Sequence, residues 1–158
     1  MAFEKLKLPT TSIQFISKFI PDETLVKYLR AADVYVLPYL EHTPISGTLS
    51  YAMACARAIV STDFVYAREI LQTSKKMERG RLVKIGDSQA IAEQVVDLLG
   101  NEKARHAMAH RAQEFVNTKM TWETMSLMIK CILNLYTTIG KEEEKDTDCR
   151  YLGDYLKT

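Results

Sequence analysis

The residues best suited to chemistry lie between Pro38 and Tyr51. The chain leaves a compact apolar run, Val34-Tyr-Val-Leu37, and crosses a polar segment that carries His42. It then continues through Ile45-Ser-Gly-Thr48 into Leu49-Ser-Tyr-Ala-Met-Ala-Cys55, whose small residues favour a helix lying close against a sheet. Free N–H groups at a helix start carry partial positive charge, and Gly47 permits close approach to the backbone. The hydroxyls of Ser46 and Thr48 add two further hydrogen bonds, so the turn suits a phosphate or diphosphate. Capping and close packing call on the same residue types, and the pattern by itself supports either reading.

Other candidates are fewer. His42 stands ahead of the turn, where it could meet a sugar or a leaving oxygen; a solvated loop histidine is the plainer reading. There is no G-x-G-x-x-G and no Walker-type lysine. His106 and His110 have the i, i+4 spacing of a metal pair but lack a third ligand nearby, so they read as surface residues and no metal is expected. Cys55 reads as a small packed apolar side chain.

The elements around these residues alternate. Ile13-Gln-Phe-Ile-Ser-Lys-Phe-Ile20 reads as a strand, and Pro21-Asp22 opens a helix with Asp22 placed to cap it. Leu25, Tyr28, Leu29 and Ala32 recur along that helix at helical spacing. Val34–Leu37 and Ala58-Ile-Val-Ser61 have the continuous apolar character of strands buried on both faces. A short helix at 67–71 precedes the next strand, Arg81-Leu-Val-Lys-Ile85. Gly86-Asp87-Ser88 then starts a helix carrying Ile91, Val95, Leu98 and Leu99. Asn101 caps the next, with Met108, Ala112 and Phe115 on one face. The last helix, about 121–138, bears Met125, Met128, Ile129, Ile132, Leu135 and Tyr136. Alternation of this kind predicts an α/β fold: a Rossmann-like parallel sheet with helices on both faces.

Composition narrows the class. The chain has 158 residues and is 47% apolar, enough for one core. Its 21 basic and 20 acidic residues leave a net charge of +1, which offers no global attraction to nucleic acid. Three widely spaced cysteines form no disulfide framework, and no apolar stretch approaches the length of a membrane span. A cytoplasmic location is the expectation.

Five blocks in order carry a family resemblance: Ala32-Asp-Val-Tyr-Val-Leu-Pro-Tyr39, Ile45-Ser-Gly-Thr-Leu-Ser-Tyr-Ala-Met-Ala54, Ala58-Ile-Val-Ser-Thr62, Tyr66-Ala-Arg-Glu-Ile-Leu71 and Gly80-Arg-Leu-Val83. Together they resemble the C-terminal, donor-binding domain of family 4 (group 1) glycosyltransferases of the GT-B fold, in particular a branch with Ser-Gly-Thr-Leu-x-Tyr-Ala at the start of the donor-site helix. The resemblance runs from about 12 to 139. Met120-Thr-Trp122 is similar to the opening of the family's last helix, which crosses back towards the N-terminal domain.

The resemblance implies transfer of a sugar from a nucleotide diphosphate to an acceptor, usually with retention, without a cofactor or metal. It places Ser46, Gly47, Thr48 and Leu49 at the diphosphate and Tyr39 and Tyr51 near the nucleoside or sugar. Glu69 is a further donor-side candidate. Thr43 and Tyr51 stand where the usual motif has two glutamates, and Ala56 stands where glycine is common, a position that can require positive φ. Two preceding βα units, one with an Arg/Lys pair that grips the diphosphate, and an acceptor-binding domain are expected outside the chain; Lys18 and Arg68 are the remaining basic candidates. Residues 1–11 are thus read as a lead, 12–140 as a partial donor-binding domain, and 141–158 as a charged tail. The expected partners are a nucleotide sugar and either an acceptor-domain subunit or a second copy through the last helix. The alternative is a non-catalytic module that binds a nucleotide sugar or a protein.

Overall fold

A computed structural model describes residues 12–41, 45–72 and 77–138, the last five of these by their backbone alone. In chain order the elements are α1 (Asp22–Ala31), β1 (Val34–Leu37), α2 (Gly47–Ala54), β2 (Ala58–Thr62), α3 (Val65–Leu71), β3 (Arg81–Val83), α4 (Ser88–Gly100), α5 (Glu102–Lys119) and α6 (Trp122–Thr138). The three strands form one parallel sheet in the order β1-β2-β3. Val34 pairs with Ala58 and Leu37 with Ser61, while Val60 pairs with Arg81 and Thr62 with Val83.

All five residues of β2 are buried, as a central strand covered on both faces requires. Strand alternation divides its side chains between two cores. Ile59 joins Leu29, Leu37, Leu49, Met53, Phe64 and Ile70 under α1, α2 and α3. Ala58 and Val60 join Val83, Leu98 and Met108 on the other face, with Ile91 and Val95 of α4 packed alongside. α5 serves both, through Ala112 in the first cluster and Met108 in the second. Each large apolar side chain so buried contributes about 1.5–3 kcal/mol before conformational entropy is counted.

Helix ends follow local chemistry. Asp87 accepts from the Ala90 N–H at 2.9 Å to start α4, and Asn101 accepts from the Ala104 N–H at 3.0 Å to start α5. At α1 the N-cap is Pro21, and Asp22 lies inside the first turn without a capping bond. Its charge there still complements the positive end of the helix dipole.

The main departure concerns residues 13–20, which the alternating pattern marks as a strand. They form no strand, and Phe15 and Phe19 are 69% and 86% exposed. A strand exists only as part of a ladder, and the sheet's outermost member on that side, β1, takes no partner there among the described residues. The third strand is also shorter than expected, ending at Val83. α6 turns Leu127, Met128 and Cys131 towards the domain, whereas Trp122, Met125, Ile129 and Ile132 face outward. Leu135 and Tyr136 belong to the helix but their side chains lie outside the description. No described helix is long and apolar enough to cross a membrane.

Candidate functional site

β1 and β2 end side by side, and the loops that leave their carboxyl ends hold a cluster of hydroxyl groups around the start of α2. In an open parallel sheet this is where ligands are bound. Ser46 is the N-cap of α2, 3% exposed, with Oγ accepting from the Leu49 N–H at 3.4 Å. The same oxygen lies 3.3 Å from the Tyr39 hydroxyl and 3.3 Å from Thr48 Oγ1. Tyr35 of β1 stands close enough to Thr48 for that side chain to act on its phenol. Ser50, one turn into α2, lies 3.1 Å from the Tyr66 hydroxyl of α3. The capping reading of the turn is the one the contacts show directly. Ser46 caps the helix, while the N–H groups of Gly47 and Thr48, both at the exposed rim, have no acceptor inside the helix.

The aromatic support comes from the sheet. Tyr39, two residues beyond β1, packs edge-on against the fully buried ring of Phe64, with centroids 5.3 Å apart and planes at 69°. That contact fixes the ring while the hydroxyl reaches Ser46. Burial pushes the Tyr35 phenol above its ordinary value; the Thr48 side chain acts against this, and the nearby Tyr39 adds to it. Tyr35 is accordingly a neutral hydroxyl at any physiological pH and can donate a hydrogen bond to an anion. Thr62, at the end of β2, donates to the Leu37 carbonyl at 3.4 Å and ties the two strand ends together.

Sequence-derived candidates thus divide. Tyr39, Ser46 and Thr48 meet in one cluster, with Gly47 between them at an open position where an added Cβ would touch no heavy atom within 4 Å. Leu49 is fully buried in the core, so only its backbone reaches the turn, and Ser46 already accepts its N–H. Tyr51 is exposed on α2, and Glu69 is exposed on α3; neither takes part in the hydroxyl cluster. His42 and Thr43 lie outside the described residues. Arg68 is held by Asp63 in a two-pronged contact of 2.9 and 2.8 Å, which raises its pKa further and commits its charge. Lys18 is exposed in the segment before α1.

Three hydroxyls escaped sequence reading: Tyr35, Ser50 and Tyr66. Alternation in Val34–Leu37 carried the signal for the first, since it sets Tyr35 on the same face as Leu37 and beneath α2. Nothing local links Ser50 to Tyr66, sixteen residues apart. His106 is exposed on α5, 3.5 Å from Glu102, and His110 is exposed one turn on. Among the described residues no group of three His, Cys, Asp or Glu side chains is arranged to hold a metal.

The other end of α2 is also specified. The Ala56 N–H donates to the Met53 carbonyl and the Arg57 N–H to the Ala52 carbonyl, each at 3.0 Å. These are the paired bonds of a Schellman ending, and Ala56 occupies its left-handed position at φ 54°. Arg57 then donates to the carbonyls of Cys55, Arg30 and Ala32, which closes the ends of α2 and α1 together.

Comparison with known proteins agrees with this architecture. The profile of the group 1 glycosyl transferases matches residues 2–101, and the chain belongs to that family. It is 29% identical over 121 residues to the phosphatidyl-myo-inositol mannosyltransferase of Mycolicibacterium smegmatis, covering 77% of this chain and 30% of the relative. The protein of that name from Mycobacterium leprae is 29% identical over 133 residues, covering 84% and 33%. Among solved structures, sucrose-phosphate synthase from Thermosynechococcus elongatus shares the fold, with a TM-score of 0.69 and 22% identity over 82% of this chain and 31% of that one. The chain is therefore a GT-B glycosyltransferase-type domain, and it spans about a third of the length of the curated relatives it matches.

Proposed function

We propose that the turn at the start of α2 binds the diphosphate of a nucleotide sugar, and that this domain presents the sugar for transfer to an acceptor held elsewhere. The supporting observation is that the hydroxyls of Tyr39 and Thr48 meet Ser46 Oγ beside the Gly47 and Thr48 N–H groups, which have no acceptor inside the helix. In glycosyl transfer the bond from the anomeric carbon to the diphosphate breaks, and its electron pair stays on the departing oxygen. Donors already aimed at that oxygen stabilise the developing charge without rearranging. A helix start contributes about 0.3–1 kcal/mol to an exposed anion, and more where water is excluded. Retention at the anomeric carbon is the outcome expected of the family. Tyr51 and Glu69, both exposed on α2 and α3, are assigned to the nucleoside or the sugar by the family resemblance. The outward apolar face of α6 is assigned to contact with the acceptor-holding part.

The test is calorimetric titration of the folded chain with UDP, GDP and their sugar conjugates. Mannose conjugates come first because mannosyl transfer names two of the relatives. Each hit is repeated with Gly47→Val. A side chain at 47 meets open space in the free protein, so the variant folds as before and its bulk falls on the ligand. Saturable binding abolished by Gly47→Val places the diphosphate at this turn. Binding that Gly47→Val leaves unchanged moves the ligand elsewhere. No binding at millimolar ligand favours a protein-interaction module instead.

A further inference from the structure

Ser50 and Tyr66 meet between α2 and α3, with their hydroxyls 3.1 Å apart and both residues half-buried. Packing alone does not call for those hydroxyls. Leu49 and Met53 of α2 share one apolar cluster with Ala67, Ile70 and Leu71 of α3, and the Tyr66 ring packs against it. A phenylalanine would fill the same place. Beyond their mutual bond, neither hydroxyl has a partner among the described residues. Two O–H groups that share one bond keep one hydrogen and several lone pairs to offer.

Their place on the helices adds a direction. Ser46 and Ser50 are four residues apart on α2, so they lie on one face with Cβ atoms about 5–6 Å apart. The bonded pair Tyr39–Ser46 therefore has the bonded pair Ser50–Tyr66 as its neighbour one turn along. A row of neutral hydroxyls leads from the turn at Ser46–Thr48 towards α3. Such groups suit other hydroxyls better than they suit charge. A sugar hydroxyl both gives and accepts hydrogen bonds, and a protein hydroxyl answers either way by rotating. A carboxylate only accepts, and an ammonium group only donates. Two hydroxyls held side by side match the adjacent hydroxyls of a sugar ring.

We propose that the Ser50–Tyr66 pair binds a vicinal diol of the donor, on the ribose or on the transferred sugar, and so orients the donor once its diphosphate is seated at Ser46–Thr48. A nucleotide sugar carries ribose on one side of the diphosphate and the sugar on the other, so whichever end lies over α3 brings a diol to the pair. This role rests on the donor-site reading, and it gives that site two residues that the family resemblance leaves unassigned.

Calorimetric titration of the parent, Tyr66→Phe and Ser50→Ala tests it, with GDP, GDP-mannose, UDP, UDP-glucose and the 2′-deoxy forms of both nucleotides. Loss of one such hydrogen bond is expected to weaken binding by about 3- to 10-fold. A loss confined to GDP-mannose or UDP-glucose puts the pair on the sugar. A loss shared by the bare nucleotides and erased in their 2′-deoxy forms puts it on the ribose. A loss that the 2′-deoxy nucleotides share in full overturns the role, because base or phosphate is then the contact. Undiminished binding of every ligand by both variants also overturns it and leaves the pair a tie between helices. A parent that binds none of these ligands removes the donor-site reading itself, which tells the two failures apart. Should Ser50→Ala not fold, Tyr66→Phe decides, since it keeps the packed ring.

Discussion

Ala56 holds a left-handed backbone, φ 54°, at the position where a Schellman ending most often has glycine. An L-residue in that region carries about 1–2 kcal/mol of steric cost, because Cβ crowds the following carbonyl. Glycine removes the crowding but adds about 0.5–1 kcal/mol of unfolded-state entropy. The difference leaves Ala56→Gly stabilising by about 0.5–1 kcal/mol, or roughly 2–4 °C in Tm for a domain of this size. Ala56→Val moves the other way, since a β-branched side chain tolerates positive φ least. Urea and thermal unfolding of the three proteins measure both shifts, and nucleotide titration of Ala56→Gly is expected to match the parent, because the change lies at the far end of α2 from the hydroxyl cluster. An Ala56→Gly protein no more stable than the parent would show that the helix end carries no strain. The account of the α2 terminus would then be wrong.

Ser46→Ala removes the cap of α2 and the link between Tyr39 and Thr48; it is expected to cost about 1 kcal/mol in urea unfolding and to weaken any diphosphate binding in the same titration. Tyr35 contributes a pH dependence whose sign follows from burial. Its folded pKa lies above the ordinary 10.0, so its stabilising contribution is whole below that value and is lost as pH rises through the folded value. Urea melts taken from about pH 9 upward are expected to show a steeper loss in the parent than in Tyr35→Phe, and equal slopes would remove the buried phenol from the account. Arg57→Ala strips donors from the carbonyls of Cys55, Arg30 and Ala32 and is expected to cost about 1–2 kcal/mol, with faster amide exchange where α1 meets β1.

The amino-acid sequence by itself determined what local periodicity and end chemistry can express. Short apolar runs at Val34–Leu37 and Ala58–Ser61 marked two strands; full burial holds for β2, whereas Val34, Tyr35 and Val36 of β1 are only half-buried. Asp87 and Asn101 begin their helices because their side chains reach the third N–H onward. The turn at Ser46–Thr48 was legible for the same reason, and the strained Ala56 was legible from the family's preference for glycine at that place.

The tertiary structure decided what depends on partners distant in the chain. Residues 13–20 carry a strand's pattern, but pattern supplies only a face, and a ladder needs a second backbone within hydrogen-bonding reach. Leu49 was assigned to the turn by the family resemblance, and packing sets its side chain in the core, where it is fully buried. Tyr35 entered the cluster through the register of β1 against β2 and the seat of α2 above them. Tyr66 meets Ser50, sixteen residues away, because α3 packs where Ser50 can reach it. Spacing along the chain cannot encode such meetings, because the packing of whole elements sets the distance between them.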